Sequence, residues 1–179
     1  MDEKIILIIV AVVVGGGIVA AIAYYIARFM RGSINLSLPI TTFDPGATIN
    51  GSFDLHTKKA IQGNKLMVKL IGTRVTKTRS DDGKSKTRSD EIYNEEVLVE
   101  EAKAYVAGSM AKYDFQISTP NTTSPEFMNS GVGQALSAAF RLISDKSTRF
   151  KWKVEARLDA KGVDLVDTQS ITLNMKQIF

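Results

Sequence analysis

Residues 5–27, IILIIVAVVVGGGIVAAIAYYIA, form an uncharged run of 23 positions in a chain of 179. At ~1.5 Å per helical residue such a run reaches roughly 34 Å, against a hydrocarbon core of about 30 Å. It predicts a single transmembrane helix, with 1–31 an anchor and its flanks and 32–179 a domain working beside the bilayer. A cleaved signal is the competing reading, because Ala21-Ile22-Ala23 resembles a cleavage site. The run is too long for a signal core, however, and its start carries Asp2 and Glu3 beside Lys4, so an anchor is expected. Arg28 and Arg31 follow closely and favour the domain on the cytoplasmic side by the positive-inside rule. Three sequons, at Asn35, Asn50 and Asn121, would matter only outside. Gly16 with Ala20 and Gly17 with Ala21 give the small-xxx-small spacing that lets helices pack closely, a route to self-association in the membrane.

The bulk numbers exclude several functions. The formal net charge is +4; the first 31 residues carry +1 of it (three bases against two acids), leaving +3 for the rest. Such an excess does not call for nucleic acid. Without cysteine, neither a disulfide nor a thiolate metal site can form. His56 is the only histidine and has no nucleophile elbow or carboxylate pair to work with, so it reads as a surface turn residue. Asp159, Asp164 and Asp167 lack calcium-loop spacing, and no phosphate-binding glycine loop is present, so no enzyme and no cofactor is expected.

The rest of the chain alternates with period two. Ile34, Leu36, Leu38 and Ile40 begin the pattern, then Ile49, Gly51, Phe53 and Leu55. A Gln62-Gly63-Asn64 turn precedes Leu66, Val68 and Leu70; Val97 and Val99, then Tyr113, Phe115 and Ile117, follow. Phe150, Trp152, Val154, Ala156 and Leu158 form the clearest strand, and Ile171, Leu173 and Met175 the last. Some seven or eight strands, each with one apolar face, must bury those faces between two sheets. Trp152 is expected in the core. One segment departs: Val132, Leu136, Ala139, Phe140 and Ile143 share a stripe at helical spacing, predicting one short helix laid on an all-β sandwich.

Four segments together resemble the arrestin family. Phe43-Asp44-Pro45-Gly46-Ala47-Thr48-Ile49-Asn50-Gly51 resembles its aromatic-x-Pro-Gly-Glu-x-(Val/Ile)-x-Gly segment, with Ala47 in place of the acid. Leu66-Met67-Val68-Lys69-Leu70-Ile71-Gly72 resembles the apolar strand ending in Leu-x-Gly. Tyr113–Pro120 with Pro125-Glu126-Phe127, and Trp152–Asp159, resemble two later strands. The resemblance covers 34–178. It implies an immunoglobulin-like, arrestin-like sandwich that binds proteins and has no enzymatic activity, in a chain long enough for one of the family's two lobes. Its phosphate-sensing polar core has no match here.

Thr73–Ile92, TRVTKTRSDDGKSKTRSDEI, is the most distinctive polar stretch. Asp82-Gly83 signals a two-residue hairpin turn. That turn would set Arg79 opposite Lys86 and Lys77 opposite Arg88, with all four cations on one face. Like charges in opposed pairs repel, and an anion would relieve both pairs. In arrestins the matching loop projects towards partners, so the resemblance points to the same place. Lys77, Arg79, Lys86 and Arg88 are therefore the candidate contact to an acidic protein partner or to anionic lipid headgroups. Two functions follow: a membrane-tethered adaptor or scaffold module, or an exported, surface-anchored adhesion or assembly subunit.

Overall fold

The computed structural model describes residues 17, 19, 21–79, 84–121, 124, 125, 129–131, 133, 134, 138 and 148–174. Nine strands are described: β1 (Gly32–Ser37), β2 (Thr42–Phe43), β3 (Thr48–Thr57), β4 (Ile61–Arg79), β5 (Ser85–Glu100), β6 (Lys103–Tyr105), β7 (Met110–Ser118), β8 (Thr148–Ala160) and β9 (Leu165–Leu173). They form two sheets, one ordered β1-β3-β7 and one ordered β2-β9-β8-β4-β5, with β6 on the start of β4. All strand pairs are antiparallel except β2 with β9.

Alternation dictates this arrangement. Ile49, Phe53 and Leu55 of β3 and Phe115 and Ile117 of β7 point inward from one sheet; Leu66, Val68, Leu70, Trp152, Val154, Ala156 and Leu158 meet them from the other. Trp152 is 4% exposed and leans on Tyr93, ring centroids 5.6 Å apart. Gly72 lies under that indole: a Cβ there would sit 2.7 Å from it. At the family-like segment Pro45-Gly46, Gly46 has φ +79°, a left-handed turn conformation natural only to glycine. Asn64 does not make a turn. β4 runs straight through it, and a register shift between Gly63 and Lys65 absorbs the extra residue.

The transmembrane helix is corrected. Among the described residues no helix is long and apolar enough to cross a membrane. Helix is described at 17, at 19 and over 21–31, and its last turns dock on the sandwich instead of being separated from it. Arg31 donates to the carbonyls of Val163 (2.9 Å) and Lys161 (2.8 Å), and Arg28 donates to that of Val166. Lys58 and Lys59 donate their backbone N–H to the Arg31 carbonyl. Residues 1–16 lie outside the described residues, so Gly16, like Ala20, is outside them; Gly17 and Ala21 are described and exposed. The apolar stripe of the expected inserted helix (Val132, Leu136, Ala139, Phe140, Ile143) also lies outside. The neighbouring Ser130 accepts the Gly133 N–H at 3.0 Å, a helix N-cap. Met175 lies outside as well.

Candidate functional site

β4 is the longest strand, and it changes character along its length. From Leu66 to Thr76 it is sandwiched between β5 and β8; its last β8 partner is Thr148, opposite Thr76. Beyond that point, among the described residues, Lys77, Thr78 and Arg79 pair with Thr87, Lys86 and Ser85 alone, and the two strands run on as a ribbon past the last described residue of β8. Every described residue from 77 to 79 and from 84 to 89 is exposed.

The ribbon's register differs from the expected one. Within the sandwich the pairing agrees with it: Gly72 faces Tyr93, Ile71 faces Asn94. A bulge between Gly72 and Thr73 then leaves Ile92 without an opposite number, and Thr73 pairs with Glu91. That single residue shifts the rest by one, so Lys77 faces Thr87 and Thr78 faces Lys86. Residues on facing positions share a side of the sheet, so Lys77 and Arg79 stand on one side and Lys86 and Arg88 on the other. The four cations are split into two pairs, and the predicted like-charge clashes are absent. The turn at Asp82-Gly83 lies outside the described residues.

One carboxylate manages the base of the ribbon. Asp90 sits opposite Arg74, with Arg74 Nη2 at 3.2 Å and Arg88 Nε at 2.8 Å. These hydrogen bonds, Arg88's first, hold its carboxyl below the usual range. Arg88 is thus tethered at one end and 80% exposed along its side chain. Lys77, Arg79 and Lys86 have no ion-pair partner among the described residues.

Other titratable groups hold the sandwich together. Glu155 is buried on the outer face of the larger sheet, 2.9 Å from Lys153 and 2.8 Å from Arg157. Burial pushes its carboxyl up, but those two hydrogen bonds outweigh burial and leave it below the ordinary value. Glu100 accepts from the Tyr105 and Tyr113 hydroxyls, 2.8 Å each, and from Lys103. Burial and then Glu100 push the Tyr113 hydroxyl up to about 12. His56 is half-buried at the end of β3, opposite Ser33 and Met110. A cleft of about 580 Å³ opens on the outer face of the smaller sheet, lined by Pro39 and Phe115 as well as Ser37, Asn50, Asp114 and Gln116. Asp114 is its one carboxylate. Among the described residues no three His, Cys, Asp or Glu side chains cluster as metal ligands.

The site also has a position. Arg31, at the helix end, binds the turn just before β4 begins, whereas the ribbon is where β4 ends. At about 3.3 Å per residue, Ile61 and Arg79 are roughly 60 Å apart along the strand. Ribbon and helix therefore occupy opposite ends of the sandwich.

The crystal structure of Spo0M, a sporulation control protein from Bacillus subtilis, shares this architecture with TM-score 0.53 at 16% identity; the match covers 80% of this chain and 49% of that one. The chain thus spans about half the length of that protein. The likeness carries the fold, an arrestin-like β-sandwich. No family model and no curated protein matches the sequence.

Proposed function

We propose that this chain is a non-catalytic protein-interaction module, an adaptor or scaffold built on a single arrestin-like lobe. Its N-terminal apolar segment keeps it at a membrane surface, and its β4–β5 ribbon meets an acidic protein partner. The observation that carries the reading is the ribbon: among the described residues two strands continue past the end of β8 and present cations on both of their sides. A ribbon with Lys77 and Arg79 on one side and Lys86 and Arg88 on the other can insert between two acidic surfaces or be gripped by an acidic groove. Its exposed cations steer encounter and set salt dependence more than they set affinity. The distance from the helix favours a protein over lipid as the ribbon's partner.

The test is photo-crosslinking in membranes of the source cells, with a benzophenone amino acid at Thr78 or Thr87 and a control at Asp54 on the outer face of β3. The ribbon positions should yield a discrete adduct. It should weaken at high salt and vanish when Lys77, Arg79, Lys86 and Arg88 are all replaced by glutamine. An adduct indifferent to those four substitutions, or none from the ribbon, would refute this reading.

A further inference from the structure

The helix-bearing end of the sandwich has a surface of its own. Val106 and Met110 are 71% and 77% exposed, the latter the most exposed large apolar side chain among the described residues. They flank the turn between β6 and β7, and that turn is rigidly built. Thr57, fully buried, spends its polar groups on it: its hydroxyl donates to the Val106 carbonyl (2.7 Å), its N–H to that of Ser109 (2.9 Å), and its own carbonyl accepts the Gly108 N–H (2.6 Å). Gly108 takes φ +77° to close the turn. The backbone is thus fixed so that two apolar side chains point into solvent, an arrangement that marks a contact surface when it joins a wider apolar region.

That wider region is present. The helix exposes Val19, Ile22, Tyr24, Tyr25, Ile26 and Phe29. Lys58 and Lys59 follow Thr57 directly and are exposed, with Lys58 Nζ 3.5 Å above the Phe29 ring. Lys161, also exposed, stands in the β8–β9 turn that Arg31 binds. Three acids of this end are occupied: Asp164 by Arg157 and the Ala160 N–H, Asp167 by the Leu36 N–H, Glu100 by Lys103 and two tyrosines. Glu101 and Asp54 are exposed without such a contact, and Asp159 is half-buried without one; Asp54 and Asp159 lie opposite Lys112 and Lys65 on the neighbouring strands. Apolar tips and aromatic rings beside a ring of cations are the composition that suits the headgroup region of a bilayer.

We infer that this end of the sandwich is itself a bilayer contact. Val106 and Met110 enter the headgroup boundary while Lys58, Lys59 and Lys161 meet anionic headgroups. This rests on the membrane-surface reading above and adds an orientation to it: the sandwich stands on its β6–β7 turn with the ribbon pointing away. The lack of native cysteine makes a clean test possible. V106C, M110C and, as a control on the ribbon, T78C are each labelled with an environment-sensitive fluorophore in the full chain. The chain is mixed with phosphatidylcholine vesicles with or without phosphatidylglycerol, and iodide quenching is read. Labels at 106 and 110 should be several-fold less quenched than the label at 78, only with phosphatidylglycerol present, and K58Q/K59Q should return them towards the control. A chain that floats with the vesicles while 106 and 110 stay as quenched as 78 would overturn this inference alone. A chain that does not float would overturn the membrane-surface reading and this inference together. Protection of 106 and 110 without vesicles would mean that a second copy covers the turn, and would also overturn it.

Discussion

The two halves of β4 are one strand under two regimes. From Leu66 to Leu70 every second side chain is locked between sheets, and on the opposite face Met67 and Ile71 are also buried, flanking Lys69, which pairs with Glu96 at 3.0 Å. From Lys77 to Arg79 the same period-two geometry persists, with β5 as its one pairing strand among the described residues. In the first half, alternation decides which side chains enter the space between the sheets, and register is costly to change. In the second it decides only which side a cation stands on, and a single bulge at Ile92 suffices to redistribute the charges. The strand's buried contacts are therefore concentrated in one half and its exposed cations in the other.

Substitutions should show this asymmetry. The largest effect belongs to the core half. Trp152→Ala removes the indole that packs on Tyr93 and over Gly72, and should cost about 3–5 kcal/mol in denaturant unfolding. A near-neutral result would mean that the inward face has been misassigned. Gly72→Ala should come next, at about 1–3 kcal/mol, because its Cβ meets the same ring at 2.7 Å and the surrounding core leaves little room to move.

Glu155→Gln should cost about 1–2 kcal/mol near neutral pH, less than a fully enclosed ion pair because Lys153 and Arg157 remain partly in water. The sign with pH is fixed by the direction of the shift. The folded-state carboxyl titrates below its ordinary 4.5, so its stabilisation is complete above that value and is lost as pH falls through the lower, folded one. As pH falls below that ordinary value the native protein should lose stability faster than the glutamine variant; parallel curves would contradict the pairing.

The ribbon should be the least sensitive. Replacing Lys77, Arg79, Lys86 and Arg88 by glutamine should move unfolding by no more than about 0.5 kcal/mol per site, while removing partner contact. A large loss of stability would make the ribbon part of the frame and dissolve the contrast between the halves.

Alternation made most of the frame legible in the sequence. Ile49, Phe53 and Leu55, or Trp152 to Leu158, permit one buried face each, and the Pro45-Gly46 turn has only one comfortable conformation. Gln62-Gly63-Asn64 misled because turn residues also serve as bulges, and the β8 and β6 partners that keep them in the strand are distant in sequence. The ribbon was legible in place and charge, but not in register: Ile92 sits among polar neighbours where no burial pattern marks a bulge. Hydropathy alone misassigned the N-terminal helix, since the arginines behind the apolar run tie the helix end to β8–β9, a contact more than a hundred residues away. Val106 and Met110 were missed because two isolated apolar residues carry no periodic signal; the buried Thr57 that fixes their turn is visible only in three dimensions.

The central claim is that ribbon and helix occupy opposite ends of one sandwich, so that partner and membrane are met separately. Energy transfer from a donor on the full chain to acceptor-labelled lipid in vesicles tests it directly, with the donor at Ala60, beside the helix, or at Thr78, on the ribbon. A strand reach of roughly 60 Å predicts strong quenching at Ala60 and almost none at Thr78. Equal quenching at the two positions would place the ribbon at the bilayer and contradict the account.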